Sequence, residues 1–382
     1  MVRVALLTYS TKPRGGVVHT LELGEAMYRA GMDVCVVTLG DPAQGLYRPT
    51  RVPTLVIPAP APRDTLEERV FASVDALEAG LRPVADRFDI LHSQDCISAR
   101  AAARIRDAGA PVRVLRTVHH IDDFTTPALI NCQLRAIEEP DLVLVVSRQW
   151  QEILRDEYGV AAEVVPNGVD RSRFGPIGAG RRAELRRQAG LSFRDERMLF
   201  LSVGGLEPRK GSLHLVRALA EVRRRVEPAP VLAVLGGHSF QDYRAYRDAC
   251  LAEIERLGMR LGEDVVQLGT VSDADLPGWY RAADALAFPS TKEGFGLAVL
   301  EALASDLPVV TSDLPVFREY LTDGVDALMT RTGDESSLAD AMVSLSESPA
   351  LRRRLTLGAQ RTALRYTWEA SVAVHRKVYE CS

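Results

Sequence analysis

Short runs of β-branched and aliphatic residues alternate with longer helical patterns along this chain, and the alternation happens twice. Strand-like runs at residues 2–8 and 33–38 flank a helical stretch at about 19–30, a βαβ unit. Further strand patterns fall at 54–57, 90–92, 112–117, 142–146 and 163–165. Turn residues Pro166-Asn167-Gly168-Val169-Asp170 then break the rhythm, and a polar stretch rich in Gly and Arg, 171–187, reads as a linker. The pattern restarts with strands at 198–203, 231–235, 265–268, 285–288 and 308–311. Helices are expected between and after them at 213–225, 243–257, 297–304, 334–347 and 349–366. Such alternation predicts an α/β chain of two tandem Rossmann-like, doubly wound parallel sheets with helices on both faces. Its 382 residues also exceed what one core of roughly 250 to 300 residues organises. Ligands of such sheets bind at the carboxyl ends of the strands, so the active site is expected in an inter-domain cleft.

Composition excludes several classes. A net charge of −4 offers no general attraction for nucleic acid. No apolar run approaches the about 20 residues of a membrane helix, and no secretory signal is assembled, so a cytoplasmic location is expected. Cys35, Cys96, Cys132, Cys250 and Cys381 are odd in number, dispersed and never in a C-x-x-C pair, which argues for reduced thiols rather than disulfides or zinc.

Three segments carry chemistry. Gly15-Gly16 lies between the first strand and its helix, where backbone can approach a diphosphate, although a Gly-Gly pair also reads as a flexible turn. Ser202-Val203-Gly204-Gly205-Leu206-Glu207-Pro208-Arg209-Lys210-Gly211 links a strand to a helix. It brings Arg209 and Lys210 to a glycine loop, either as phosphate ligands or as an exposed basic turn. The most specific is Phe288-Pro289-Ser290-Thr291-Lys292-Glu293-Gly294-Phe295-Gly296-Leu297-Ala298-Val299-Leu300-Glu301-Ala302: strand end, glycine loop, helix start. Backbone N–H groups of Phe295, Gly296, Leu297 and Ala298 are placed to bind an anion. Glu293 before the helix and Glu301 one turn into it suit hydrogen bonds from two sugars of one donor; the alternative is a surface loop with a solvated Glu.

These motifs resemble the retaining family 4 glycosyltransferases of GT-B fold. The pair Glu293 and Glu301, with seven residues between them in an EGFGL context, carries the likeness, with Arg281-Ala282-Ala283-Asp284, Pro308-Val309-Val310 and Glu319 around it. The resemblance implies that Glu293 contacts the donor sugar, Glu301 holds the ribose hydroxyls and Lys210 neutralises the diphosphate. It further implies that the backbone at Phe295, Gly296 and Leu297 cradles phosphate, and that Gly16 approaches it from the N-terminal domain. His119, in Arg116-Thr117-Val118-His119-His120-Ile121-Asp122-Asp123, matches the family's active-site histidine. The resemblance also implies an acceptor-side domain 1–170, a nucleotide-sugar domain 171–366, and a terminal helix 367–382 that packs back on the first. Two departures stand out. Gly205 occupies the place of a family arginine, whose charge Arg209 is expected to supply, and Asp306 stands where a small residue is usual.

Other polar clusters are less specific. His92-Ser93-Gln94-Asp95 ends a strand and suits either acceptor contacts or a core role. Arg100, Arg104, Arg106, Arg113 and Arg116 read as a solvated face, or as a patch for an anionic acceptor or peripheral membrane contact. Asp122-Asp123 invites a metal, but cations and helix N–H groups already provide neutralisation, so no metal and no cofactor is expected. The implied reaction is metal-independent, retaining transfer of a hexose from a nucleoside-diphosphate sugar, a co-substrate, to a hydroxyl acceptor. The alternatives are a phosphorylase on the same fold or a non-catalytic sugar-nucleotide binding protein. A dehydrogenase would need the missing G-x-G-x-x-G fingerprint.

Overall fold

The computed structural model describes residues 2–192, 195–237 and 243–381. It divides into two units, one reaching Gly168 and resuming at Trp368, the other running from Val169 to Thr367. No described helix is long and apolar enough to cross a membrane.

The first unit is built on seven parallel strands: β1 (Arg3–Thr8), β2 (Asp33–Gly40), β3 (Thr54–Pro58), β4 (Ile90–Ser93), β5 (Arg113–Val118), β6 (Leu142–Val145) and β7 (Glu163–Val164). Their order across the sheet is β3-β2-β1-β4-β5-β6-β7. The sheet grows to one side from β1 to β3 and to the other from β4 onward, which puts the switch point between β1 and β4. Val4, Ala5, Leu6 and Leu7 of β1 are wholly buried, as a central parallel strand covered on both faces requires.

Helix Gly15–Arg29 starts about four residues before the apolar periodicity does, so Gly15 and Gly16 are its first turn rather than a loop before it. Glycine's weak helix propensity hides this start, and Val17, Leu21 and Leu23 packed on the sheet outweigh it. The terminal helix Trp368–Cys381 belongs to this unit. Trp368, Val372, His375, Val378 and Tyr379, spaced at one face of a helix, are all at most 5% exposed. Cys381's side chain lies outside the description; the other four cysteines are free thiols.

The second unit has six parallel strands: β8 (Leu199–Val203), β9 (Val231–Leu235), β10 (Val265–Gly269), β11 (Ala285–Phe288), β12 (Val309–Ser312) and β13 (Leu328–Thr330). Their order is β10-β9-β8-β11-β12-β13, with the switch point between β8 and β11. Helices Ser212–Arg225 and Glu335–Glu347 bury Leu215, Leu219, Leu338 and Met342 against Phe200, Leu232 and Val310 of the sheet. Segments leaving and re-entering the unit pair: Val169 N–H donates to Tyr366 O at 3.0 Å.

The expected linker 171–187 is partly structured: Ala179–Gln188 is a helix of this unit. Its apolar content is too small to show a period, and it is held instead by buried Leu185 and by charge. Arg182 and Arg186 both reach Asp284, at 2.9 and 2.8 Å.

Candidate active site

In the second unit, β8 and β11 are neighbours at the switch point, so the loops leaving their carboxyl ends meet although 83 residues separate their key side chains. Thr291 N–H donates to Arg209 O at 2.8 Å and ties one loop to the other. Pro208–Lys210 form a single 3₁₀ turn that carries the two cations. Lys210 Nζ donates to Glu293 Oε1 at 2.5 Å and lies 4.5 Å from the centre of the Phe288 ring. Their side chains are 10% and 8% exposed, so this is a buried ion pair. Burial lowers the Lys210 pKa, with Glu293 opposing it. For Glu293 burial favours the neutral acid, but Lys210 and then Arg209 outweigh it and hold the carboxyl below its ordinary range. Arg209 is 44% exposed and 3.6 Å from Glu293, 3.3 Å from Glu207.

Gly205 has φ +75°, and a Cβ there would lie 2.9 Å from Gly237 O. The backbone at this turn is therefore fitted to glycine, and the nearby guanidinium is four residues on, at Arg209.

Gly296 caps the helix Leu297–Ala304 at φ +90°, where a Cβ would run into the Phe317 ring. Val299 and Leu300 N–H both return to Gly296 O, at 3.0 and 3.2 Å, and no side chain caps the helix. Its first N–H groups, on Leu297 and Ala298, are thus left to a ligand or solvent. Phe295 is pinned by Tyr320, whose ring stacks on it at 5.1 Å and whose hydroxyl donates to Phe295 O at 3.0 Å. Glu301 accepts a hydrogen bond from the buried Tyr280 hydroxyl at 2.6 Å. The structure therefore gathers Arg209, Lys210, Glu293, Phe295, Gly296, Leu297 and Glu301 at the carboxyl ends of β8 and β11. Tyr280 and Tyr320 escaped the sequence reading: each sits in or beside a helix too short to show a period, Leu276–Ala282 and Pro315–Arg318.

Two cavities in this unit, about 340 and 580 Å³, open around Asp284 and Arg352 at the amino ends of the strands. Tyr280 lines the larger, but neither is lined by Arg209, Lys210, Glu293, Phe295, Gly296, Leu297 or Glu301. Asp306 borders the larger one and has φ +56°. Its carboxylate accepts from Arg281 at 2.7 Å and Gln360 at 2.9 Å, which offsets the strain of that backbone.

In the first unit the corresponding end of the sheet holds Gly16, Gln94 and His119. A Cβ on Gly16 would stand 3.9 Å from both Gln94 O and His119 Cδ2. His119 Nε2 is 3.0 Å from Gln94 Oε1, and burial, followed by His120 and Arg116, pushes its pKa down to about 3. His92 is a core residue, bonded to Tyr379 at 2.7 Å and Thr117 at 2.8 Å, while Asp95 caps helix Cys96–Asp107. Four of the five arginines are paired with carboxylates or buried, and do not make an open basic patch. Arg100 pairs with Glu139, Arg104 with Asp75 and Glu78, Arg106 with Asp141, and Arg116 is 4% exposed. Acidic partners distant in sequence hid this. His120 lies 3.4 Å from Asp122, and no cluster of three or more potential metal ligands occurs among the described residues.

Residues 13–173 match the family described as Glycosyltransferase Family 4, and residues 184–362 match Glycosyl transferases group 1. Over 420 residues the chain is 30% identical to a D-inositol 3-phosphate glycosyltransferase of Corynebacterium jeikeium, covering 99% of this chain and 96% of the relative. The chain is a family 4, group 1 glycosyltransferase. This glycosyltransferase is also 28% identical to a phosphatidyl-myo-inositol mannosyltransferase of Mycobacterium leprae, over 97% of its length and 94% of the relative's. Among solved structures, Anabaena HepE in complex with UDP and glucose superposes with a TM-score of 0.83 at 22% identity, covering both chains fully. Sucrose-phosphate synthase of Thermosynechococcus elongatus gives 0.82 at 22% identity, again over both whole chains. Both likenesses establish the two-sheet GT-B fold of this glycosyltransferase.

Proposed function

We propose that this glycosyltransferase moves a hexose from a nucleoside-diphosphate sugar to a hydroxyl acceptor, with retention and without a metal. The observation that carries the reading is the meeting of a buried lysine, two carboxylates and an uncapped helix start at one switch point. Departure of the nucleoside diphosphate builds negative charge on its phosphate, and Lys210, Arg209 and the N–H groups at Leu297 are the positive groups there. Glu301, oriented by Tyr280, accepts from the ribose hydroxyls. Glu293 accepts from the transferred sugar once the diphosphate takes over Lys210. In the first unit His119 is assigned to a hydroxyl of that sugar and Gly16 to close approach of phosphate. No carboxylate is given the part of a covalent nucleophile; retention follows if the acceptor attacks the face that the leaving phosphate vacates and gives its proton to that phosphate.

The names of the relatives make inositol phosphates the first acceptors to assay, and UDP in the HepE structure makes UDP the first nucleotide. Isothermal titration with UDP, inorganic phosphate and NAD tests the donor site. Binding of UDP alone supports it, and preference for inorganic phosphate would favour a phosphorylase. Slow hydrolysis of a UDP-sugar separates an enzyme from a binding protein.

A further inference from the structure

His119 is held on several sides by neutral groups. Gln94, 4% exposed, is fixed at its backbone by a hydrogen bond from its N–H to Leu7 O of β1 at 3.0 Å, and presents its side-chain oxygen to His119 Nε2 at 3.0 Å. His19, 2% exposed, sets its ring at a steep angle to that of His119, centroids 4.5 Å apart, and is backed by Trp368 of the terminal helix at 5.3 Å. Gly16 leaves room beside His119 Cδ2. An amide oxygen only accepts, so the nitrogen facing it must carry the ring proton. In a neutral imidazole the other nitrogen, Nδ1, then offers a lone pair, and it has no hydrogen-bond partner among the described residues.

We propose that Gln94 is a positioning residue of the transfer reaction: it holds the Nε2 proton of His119 and leaves Nδ1 to accept a hydrogen bond from a hydroxyl of the transferred sugar. This rests on the assignment of His119 to that sugar. The groups around the ring are His19 from the first helix, His120 and Arg116 from β5 and its exit, Gln94 from the exit of β4, and Trp368 behind His19. Burial and the nearby cations keep the imidazole unprotonated far below neutral pH. A lone pair at Nδ1 also selects the donor. A neutral hydroxyl donates to it, whereas a carboxylate in the same place meets a lone pair of like polarity, so neutral hexoses are preferred to hexuronic acids.

Long-range proton–nitrogen NMR on the full chain reads the tautomer directly, with the His119 signals assigned by their loss in His119→Ala. The unaltered protein should show the proton on Nε2 and no titration between about pH 5 and 8. Gln94→Leu should show a mixture of tautomers. Gln94→Glu, which places a carboxylate against Nε2–H, should bring the titration of His119 above about pH 5. With UDP-glucose as donor, Gln94→Leu should lower kcat roughly tenfold while UDP affinity stays within about threefold. UDP-glucose should also be used in preference to UDP-glucuronic acid. A proton on Nδ1 in the unaltered protein would mean that Gln94 presents its nitrogen, and would overturn the proposal. So would His119 spectra that are unchanged in both folded Gln94 variants. A His119→Ala enzyme turning over at the unaltered rate would instead overturn the sugar assignment on which the proposal stands, whatever the spectra show.

Discussion

Removing the charge of Glu293 separates two roles of the buried pair. In the structure Glu293 is the counter-ion of Lys210 at 2.5 Å, with both side chains at most 10% exposed. Glu293→Gln keeps the shape but leaves a buried ammonium with Arg209 still beside it. Breaking a buried pair from one side costs roughly 3 to 5 kcal/mol, and the amide can still accept a hydrogen bond, so about 3 kcal/mol is expected. For a unit of this size that is a fall in Tm of about 10 °C. UDP reverses the balance, because its phosphates supply the charge the variant lacks. Scanning calorimetry should therefore show a larger UDP-induced rise in Tm for Glu293→Gln than for the unaltered protein. UDP affinity should be equal or tighter, and turnover of UDP-glucose should fall by at least roughly tenfold. An unchanged Tm together with lost UDP binding would refute both the counter-ion role and the assignment of Glu293 to the sugar.

Glu301→Ala should weaken UDP by about 2 to 3 kcal/mol and Tyr280→Phe by about 1 kcal/mol, read by titration calorimetry. A similar loss for pyrophosphate, which has no ribose, would contradict the ribose role. Acid should loosen the first unit. Burial lowers the pKa of His375 to about 4, and those of His19 and His92 well below their usual value, so the folded state prefers neutral rings. The unfolded chain binds these protons near pH 6.5, so this stabilisation is complete above about pH 6.5 and is lost as pH falls towards 4. His375 alone accounts for about 2 kcal/mol between about pH 8 and pH 5. Urea unfolding followed by tryptophan fluorescence should show that decline, and His375→Gln should flatten it; an unaltered slope would contradict the cause. Asp306→Ala should destabilise the second unit by about 2 kcal/mol and Asp306→Gly by about 1 kcal/mol less, because glycine relieves the positive φ while both lose Arg281 and Gln360. Equal thermal shifts for the two would show that the backbone carries no strain.

Much of this was legible in the residues because the local rules agree with the fold. The apolar runs of β1, β8 and β11 are central parallel strands, and their pattern needs no partner to be seen. The glycine loop before Leu297 announced an uncapped helix start, with Glu293 ahead of it and Glu301 one turn in. What escaped depends on distant residues. Gly15 and Gly16 look like a turn until Val17, Leu21 and Leu23 are packed on a sheet. Ala179–Gln188 has one well-buried leucine and is held by Asp284, about a hundred residues away. Arg100, Arg104 and Arg106 suggest an exposed patch until Glu139, Asp75, Glu78 and Asp141 are placed beside them. Tyr280 and Gln94 matter through one atom each, against Glu301 and His119, and no periodicity marks such a contact.

The most direct measurement is the product itself. The full chain is incubated with UDP-sugars and inositol phosphates in excess EDTA, new glycosides are found by mass spectrometry, and the anomeric proton of the product is read by NMR. Transfer that survives EDTA and keeps the donor's anomeric configuration is the predicted result. An inverted anomeric centre, or transfer that EDTA abolishes and a divalent metal restores, would contradict it.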